Sequence, residues 1–441
     1  MTELIQNISY LLHAQLALIA ENHALLLYQL PVFLLLELPL AWMVLLGIIF
    51  WRHKQAPPRL RATPRVSCIV TCYSEGEAII STIQTLCEQI YSGEIEIIPV
   101  IDGANQNAST LLAAKQAQAM MSRYKNRTLL ILPKWQRGGR VSSLNAGLSL
   151  ARGEIILALD GDTSFDNDMI LQIVKEFEDP NVPAVGGALR VRNKSLSVAT
   201  RMQALEYMIS IQAGKTGMAH WNLLNNISGA FGAFRRDFLK QIGAWDTHTA
   251  EDLDLTLRIK QYFKRHPNIR LPFASKAIGH TDAPETWSQL FNQRLRWDGD
   301  LIFLFMRKHR ASMSPKLTGL KTFTFNFVYG LMQNTVLPLI VVLYNVYLLL
   351  FYPLSYVMAS LSLLYTFYLL LALLYFSFFL LFVSERRKQD YKMLPWLLIY
   401  PGYGLLMRFF TSAAVFNEIL RRGHEETSMA PWWVLKKGKK F

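Results

Sequence analysis

Four groups of residues in this chain have types and spacings suited to chemistry. Asp102 closes the apolar run Ile95–Ile101 and is followed by Gly103. A carboxylate just past a buried strand faces the edge where open α/β sheets bind ligands. It can accept hydrogen bonds from a ribose or a base edge, although an Asp-Gly pair is also a common turn. Asp160-Gly161-Asp162 follows the apolar run Ile155–Leu159 in the same way. Two carboxylates so spaced can share one hard cation, Mg²⁺ or Mn²⁺, with the phosphates of a sugar nucleotide. A solvated acidic turn is the plainer alternative. Glu251-Asp252 opens the amphipathic stretch EDLDLTLRIK. Acids are favoured at helix N-termini in any case, but that position also exposes a carboxylate as a general base. Asp254, two residues on, reads as surface.

The fourth group is Gln293-Arg294-Leu295-Arg296-Trp297, in a helical segment that begins near Glu285. Gln293, Arg296 and Trp297 stand at i, i+3 and i+4 and share one face. Trp offers a flat surface to a sugar ring, and Arg offers a fork matched to phosphate. An amphipathic helix at a membrane surface carries Trp in the same way.

The elements that must position these residues lie between Val66 and Asp300. Val66–Thr71, Ile95–Ile101, Thr128–Leu132 and Ile155–Leu159 read as buried strands. Helical patterns over Ala78–Gln89, Ser109–Tyr124 and Val141–Ala151 alternate with them. Such alternation with near-continuous apolar strands predicts a mostly parallel sheet covered on both faces.

The rest of the chain is different in kind. It has 441 residues, 51% hydrophobic and 18% charged, the latter below the roughly 25% usual in soluble domains. This apolar and aromatic content excludes a disordered chain. Three cysteines exclude a disulfide scaffold, and Cys68, Cys72 and Cys87 read as reduced thiols. A mean hydropathy of +0.19 leaves room for a large water-soluble part. Pro31–Trp51, with Glu37 as its one charge, is long enough to span a hydrocarbon core of about 30 Å. Ile8–Ala20 reads as an interfacial helix, with a tilted first span as the alternative. Arg52, Lys54, Arg59, Arg61 and Arg65 follow the span with no acid among them, which predicts a cytoplasmic side. Further apolar stretches cover Phe323–Tyr352, Leu354–Val383 and Met393–Phe416, the last broken by Pro401-Gly402.

The predicted layout is a membrane region over 1–52, a basic linker over 53–65 and a catalytic domain over 66–300. An interfacial segment over 301–320, a transmembrane bundle over 321–420 and a basic tail over 421–441 complete it. Three full crossings after the domain would put the basic tail outside, against the positive-inside rule. A re-entrant Met393–Phe416, folding back at Pro401-Gly402, would remove that conflict. Asn326, Gln333, Asn334 and Arg408 are expected to line a polar path or to join helices. The net charge is 46 − 32 = +14, but its basic residues gather at membrane edges, so nucleic acid is not an expected partner.

Taken in order, Asp102, Asp160/Asp162, Asp252 and Q-x-x-R-W resemble the pattern of the family 2 processive membrane glycosyltransferases. These are the cellulose, chitin, hyaluronan and poly-β-1,6-N-acetylglucosamine synthases, and the resemblance is nearest to the last. It covers about Pro64–Gly299, with supporting stretches TCYSEGE, SLNAGLSLARGEI, SGAFGAFRRDFL and PETWSQLFNQRLRW. The resemblance implies a GT-A fold inserted between membrane helices, as an inverting enzyme of the bacterial inner membrane with its domain in the cytoplasm. It implies Asp102 at the uridine, and Asp160 and Asp162 at the diphosphate and its Mg²⁺ or Mn²⁺, with Asp162 the direct ligand. Asp252 becomes the base beside Glu251, while Gln293, Arg296 and Trp297 clamp acceptor and diphosphate. Ser228 and Gly229 lie beside the acceptor sugar, and Arg140 stands where many members carry Lys. The implied partners are a UDP-sugar donor, UDP-GlcNAc first, a growing polysaccharide, the lipid bilayer and a small membrane subunit. Two departures stand out: Ala250 replaces the usual Thr before Glu-Asp, and Asp298-Gly299-Asp300 is unusually acidic. A non-processive transferase making a lipid-linked sugar, or an inactive receptor of the same fold, are the competing readings.

Overall fold

The computed structural model describes residues 33–53, 60–247 and 249–426, with isolated positions before residue 22. Most of the segment read as an interfacial helix, residues 54–59 of the basic linker and residues 427–441 of the basic tail lie outside these residues.

The helix Phe33–His53 (α1) leads into the sheet domain. There the chain alternates β1 (Val66–Cys72), α2 (Ala78–Cys87), β2 (Ile95–Asp102), α3 (Ala108–Gln118), β3 (Arg127–Leu129), β4 (Leu132–Lys134), α4 (Gly139–Leu150) and β5 (Ile155–Asp160). β6 (Ser164–Phe165), α5 (Met169–Glu176) and β7 (Ala184–Val191) follow. A long helix then runs as α6 (Val198–Glu206), a π-helical stretch Tyr207–Gly214 and α7 (Lys215–His220). β8 (Phe231–Arg235), α8 (Glu251–Lys260), β9 (Phe273–Thr281) and α9 (Trp287–Phe303) complete the domain.

The sheet order is β3-β2-β1-β5-β8-β7-β9-β6, with β4 also beside β2. β1 pairs in parallel with β2 and β5, β2 with β3 and β4, and β7 with β9. β8 runs antiparallel between β5 and β7, and β6 pairs antiparallel with β9. The expected strand Thr128–Leu132 is split. Register is kept across the gap, Ile97 facing Leu129 and Val100 facing Leu132. The interruption falls opposite Pro99, which has no N–H for the ladder.

Both faces of the sheet are covered, as the unbroken burial of β1, β2 and β7 requires. α4 and α8 cover one face through Val141, Leu144, Leu148, Leu255 and Ile259. On the other, α2 and α5 pack in a cluster that also takes in Val44 and Ile48 of α1 and Phe376 and Phe379 of the membrane region. α1 and α7 cross backbone to backbone, since a Cβ on Gly47 would strike the Gly217 carbonyl and one on Gly217 the Val44 carbonyl. Small residues permit such an approach. Trp221 Nε1 donates to Met43 O beside the crossing, at 2.7 Å.

Beyond the domain, Leu320–Phe351 (α10) and Leu354–Val383 (α11) are, with α1, the helices long and apolar enough to span a bilayer among the described residues. α10 starts against the domain, where Lys321 Nζ donates to Trp221 O at 2.6 Å. α11 returns to it. Arg190 of β7 pairs with Asp390 at 2.8 Å and Glu385 at 2.8 Å, and Arg386 pairs with Asp166 at 2.8 Å. Both ends of the hairpin therefore lie on the domain side.

The last helix, Tyr400–Arg421 (α12), runs alongside α9. Trp287 meets Tyr403, Phe291 meets Phe410, Thr411 donates to Asp298, and Phe303 stacks on His424. Pro401 occupies the first turn of this helix, where a missing N–H costs nothing. The chain does not fold back at Pro401-Gly402; a continuous helix starts there instead.

Candidate active site

Strand ends and one arginine assemble the site. Asp160 ends β5 beside Thr71 of β1. The chain builds β2 and β3 on one side of β1 and then crosses to β5 on the other, so these carboxyl ends form the switch-point crevice of the sheet. Arg140, in the first turn of α4, crosses that crevice. It pairs with Asp160, donates to Thr71 Oγ1 at 2.7 Å, donates to Gly229 O, and meets Glu251 Oε1 at 2.6 Å. Burial works against its charge, and Asp160 and Glu251 more than offset that. One guanidinium thus ties the β5 carboxylate to the N-terminus of α8.

Asp102, expected at the nucleotide, is tied into the protein at the carboxyl end of β2. Its Oδ1 accepts from Lys134 Nζ at 2.7 Å and Gly138 N at 2.9 Å, and its Oδ2 from Gly139 N at 2.8 Å. The carboxylate is used within the protein and shapes the turn that launches Arg140. Gly139 has φ +81° there, a conformation that favours glycine.

Asp162 is half-buried, and burial, then the charge of Asp160, push its carboxyl above the ordinary value. Glu75, from TCYSEGE, joins them. Burial, with Asp162 and Asp160 adding, pushes it up to about 7, and its Oε2 is buried without a hydrogen-bond partner. Glu75 and Asp162, both raised beside Asp160, gather negative charge that a divalent cation would offset. Among the described residues no His/Cys/Asp/Glu group of three or more is arranged to hold a metal by itself. That suits an ion bound by one or two carboxylates and substrate phosphates.

Asp252 lies in the first turn of α8. Its Oδ2 accepts from Asn226 Nδ2 and Gly229 N, both at 3.0 Å, and its Oδ1 from Leu253 N at 2.7 Å. Gly229 must be small, because a Cβ there would lie 2.8 Å from Glu251 Oε1. Ser228 precedes it, half-buried. Ala250, in the slot where Thr was expected, is left-handed at φ +46°. Thr249 Oγ1 donates to Asp300 of α9, so the acidic tail of the R-W-D-G-D run holds the residues that lead into α8. Burial pushes Asp300 up to about 7.

α9 presents two faces. Gln293, Arg296 and Trp297 share helical spacing with Asp300, which reaches the Glu251–Asp252 loop. Trp297 is 38% exposed, and the Arg294 guanidinium lies 4.9 Å from its ring centroid. Arg294 and Asp298, a turn apart, point instead into a cavity of about 630 Å³ between the domain and the membrane helices. Arg294 pairs there with Glu206 at 2.6 Å. Deeper in the cavity, Arg408 donates to Glu37 at 3.0 Å and Gln333 to Glu37 at 3.1 Å. Asn334 also lines it. Asn326 does not, since it accepts from Lys260 Nζ at 3.1 Å.

Sequence reasoning passed over Arg294, Asn226, Lys215 and the bracing role of Asp300. Arg294 lies inside a quoted motif, and Asp300 in the acidic run noted after it. The others gain meaning when a loop or a helix face turns toward Asp252.

A mostly parallel α/β sheet with acids at its carboxyl edge, closed by a helix carrying Q-x-x-R-W, is the arrangement of a GT-A glycosyltransferase. The chain belongs to the family 2 glycosyltransferases: the sequence model described as "Glycosyltransferase like family 2" matches residues 64–299, more than half its length. A chitin synthase model matches residues 247–411. Among curated relatives, the poly-beta-1,6-N-acetyl-D-glucosamine synthase of Staphylococcus epidermidis is 29% identical over 234 residues, 53% of each chain. That of Staphylococcus aureus is 27% identical over 252 residues, 57% of this chain and 58% of the relative. The chain thus spans about half the length of the curated relatives it matches. A solved structure, a mannosyltransferase from Pyrobaculum calidifontis in complex with GDP-Man and Mn²⁺, shares the fold with TM-score 0.53 and 17% identity, over 87% of this chain and 95% of that one.

Proposed function

We propose that the chain polymerises a sugar from UDP-GlcNAc into a β-linked exopolysaccharide, and passes the product into the membrane bundle, from the bacterial plasma membrane with its domain in the cytoplasm. The observation that carries this is Arg140, whose one side chain touches both Asp160 and Glu251. A donor diphosphate held at Asp160 and an acceptor hydroxyl held at Asp252 would then share one crevice.

The donor lies over the carboxyl ends of β1 and β5, with its nucleotide toward the turn braced by Asp102. Asp160 and Asp162 would hold Mg²⁺ or Mn²⁺, which when bound neutralises charge on the leaving diphosphate. Arg296 adds a fork toward the same charge. Asp252 accepts the proton of the acceptor hydroxyl. The hydroxyl oxygen bonds to the anomeric carbon as the bond to UDP breaks, so configuration inverts in a single displacement. Gln293 and Trp297 hold the acceptor sugar. Gln333, Asn334 and Arg408 give the cavity beyond α9 polar groups that a sugar chain can meet.

The test is to supply membranes containing the full chain with labelled UDP-sugars one at a time. Polymer from UDP-GlcNAc alone, cleaved by a β-1,6-specific hexosaminidase, is expected. A single-sugar lipid product from every donor would overturn the polymerase reading.

A further inference from the structure

Lys215 is a buried cation that the mechanism above does not use. It lies at the start of α7 and is 5% exposed. Its Nζ donates to Asn226 O at 3.0 Å, and the side chain of Asn226 donates to Asp252 Oδ2 at 3.0 Å. The same loop is fixed elsewhere: Ile227 N donates to Thr256 Oγ1 at 3.0 Å, and Gly229 N to Asp252 Oδ2. Lys215 thus reaches the carboxylate through Asn226.

We propose that Lys215 and Asn226 are positioning residues for the base: Asn226 aims the Asp252 carboxylate, and the Lys215 ammonium braces that amide's backbone while setting a positive charge near the carboxylate. This rests on the reading of Asp252 as the base. Other charged groups stand around it: Glu251 beside it on α8, and Asp300 with Arg296 from α9. Arg140, from α4, is engaged by Asp160 and Glu251. Lys215 from α7 adds a positive charge through Asn226. Burial lowers its own pKa to about 8, and the charge of Asp252 works the other way.

The experiment measures kcat and donor KM for polymer synthesis in membranes holding wild type, Lys215→Met, Lys215→Arg or Asn226→Leu, with Asp252→Asn as the blank. Lys215→Met lowers kcat by about 10-fold with donor KM near wild type, and Lys215→Arg, which keeps the charge, recovers most of that loss. Asn226→Leu, which keeps the charge and removes the amide, lowers kcat by up to about 10²-fold with donor KM near wild type, and it serves alone if Lys215→Met fails to accumulate. A wild-type kcat in Lys215→Met, or equal loss in Lys215→Arg, overturns the proposal and leaves the functional reading standing. So does unchanged kcat in Asn226→Leu. A wild type that transfers no sugar overturns both.

Discussion

At the residue scale, the site depends on one guanidinium satisfying several acceptors. Arg140→Met leaves Asp160 and Glu251 without their shared counter-charge. Breaking a buried pair from one side costs about 3–5 kcal/mol, so the thermal midpoint of the detergent-solubilised protein should fall, and Arg140→Lys should recover part of it. A midpoint in Arg140→Met equal to wild type would contradict the bridging role. Asp160, Asp162 and Asp252 were legible in the sequence because a carboxylate after an apolar run, or at the head of an amphipathic one, already has a place in the fold. Asp102 was legible as a residue at a strand end, but its bonds to two glycine amides were not, because they depend on a turn 36 residues away. Asn226 and Lys215 carried no pattern at all, since a lysine in an apolar helix looks the same whether it reaches solvent or a carboxylate.

At the element scale, α8 is anchored at both ends. Asp254, which read as a surface acid, is fully buried and meets His309 Nε2 at 2.8 Å, Lys308 at 2.9 Å and Arg258 at 2.9 Å. Burial alone would raise its pKa, but these partners outweigh it and hold the carboxyl well below the ordinary range. A depressed carboxylate gives stability that is complete above its unfolded pKa of about 4 and lost as pH falls through the folded value. Asp254→Asn should therefore unfold more easily at neutral pH, and the gap to wild type should narrow only below about pH 4. A gap that is constant with pH would contradict this. The crossing of α1 and α7 has a steric test. Gly217→Ala sets a methyl against the Val44 carbonyl, and overpacking of this kind costs about 1–3 kcal/mol, readable as a lower thermal midpoint. The alternating strands and helices were legible from hydrophobic period. The gap between β3 and β4 was not, because its cause lies across the sheet in Pro99. The pairing of α12 with α9 was hidden for a similar reason, since an apolar helix that packs on a domain has the composition of one that faces lipid.

At the scale of the whole molecule, the sequence left a conflict between three late apolar stretches and a basic tail. The hairpin of α10 and α11 begins and ends against the domain, and α12 lies along α9; we propose two late crossings, which would satisfy the charge rule. The three native cysteines are buried, which keeps labelling backgrounds low. Ser355→Cys, exposed in the first turn of α11, should react with an impermeant maleimide from outside intact cells, and Lys388→Cys only after the cells are opened. The reverse pattern would contradict this arrangement. The +14 charge belongs to the same picture, with Arg140, Arg190 and Arg294 spent inside the protein on Asp160, Asp390 and Glu206.

The most direct test compares wild type and Asp252→Asn in the same membranes, at equal protein level, with labelled UDP-GlcNAc. The account predicts release of UDP with growth of polymer in wild type, and loss of both by at least about 10²-fold in the variant. Undiminished polymer from Asp252→Asn would contradict it.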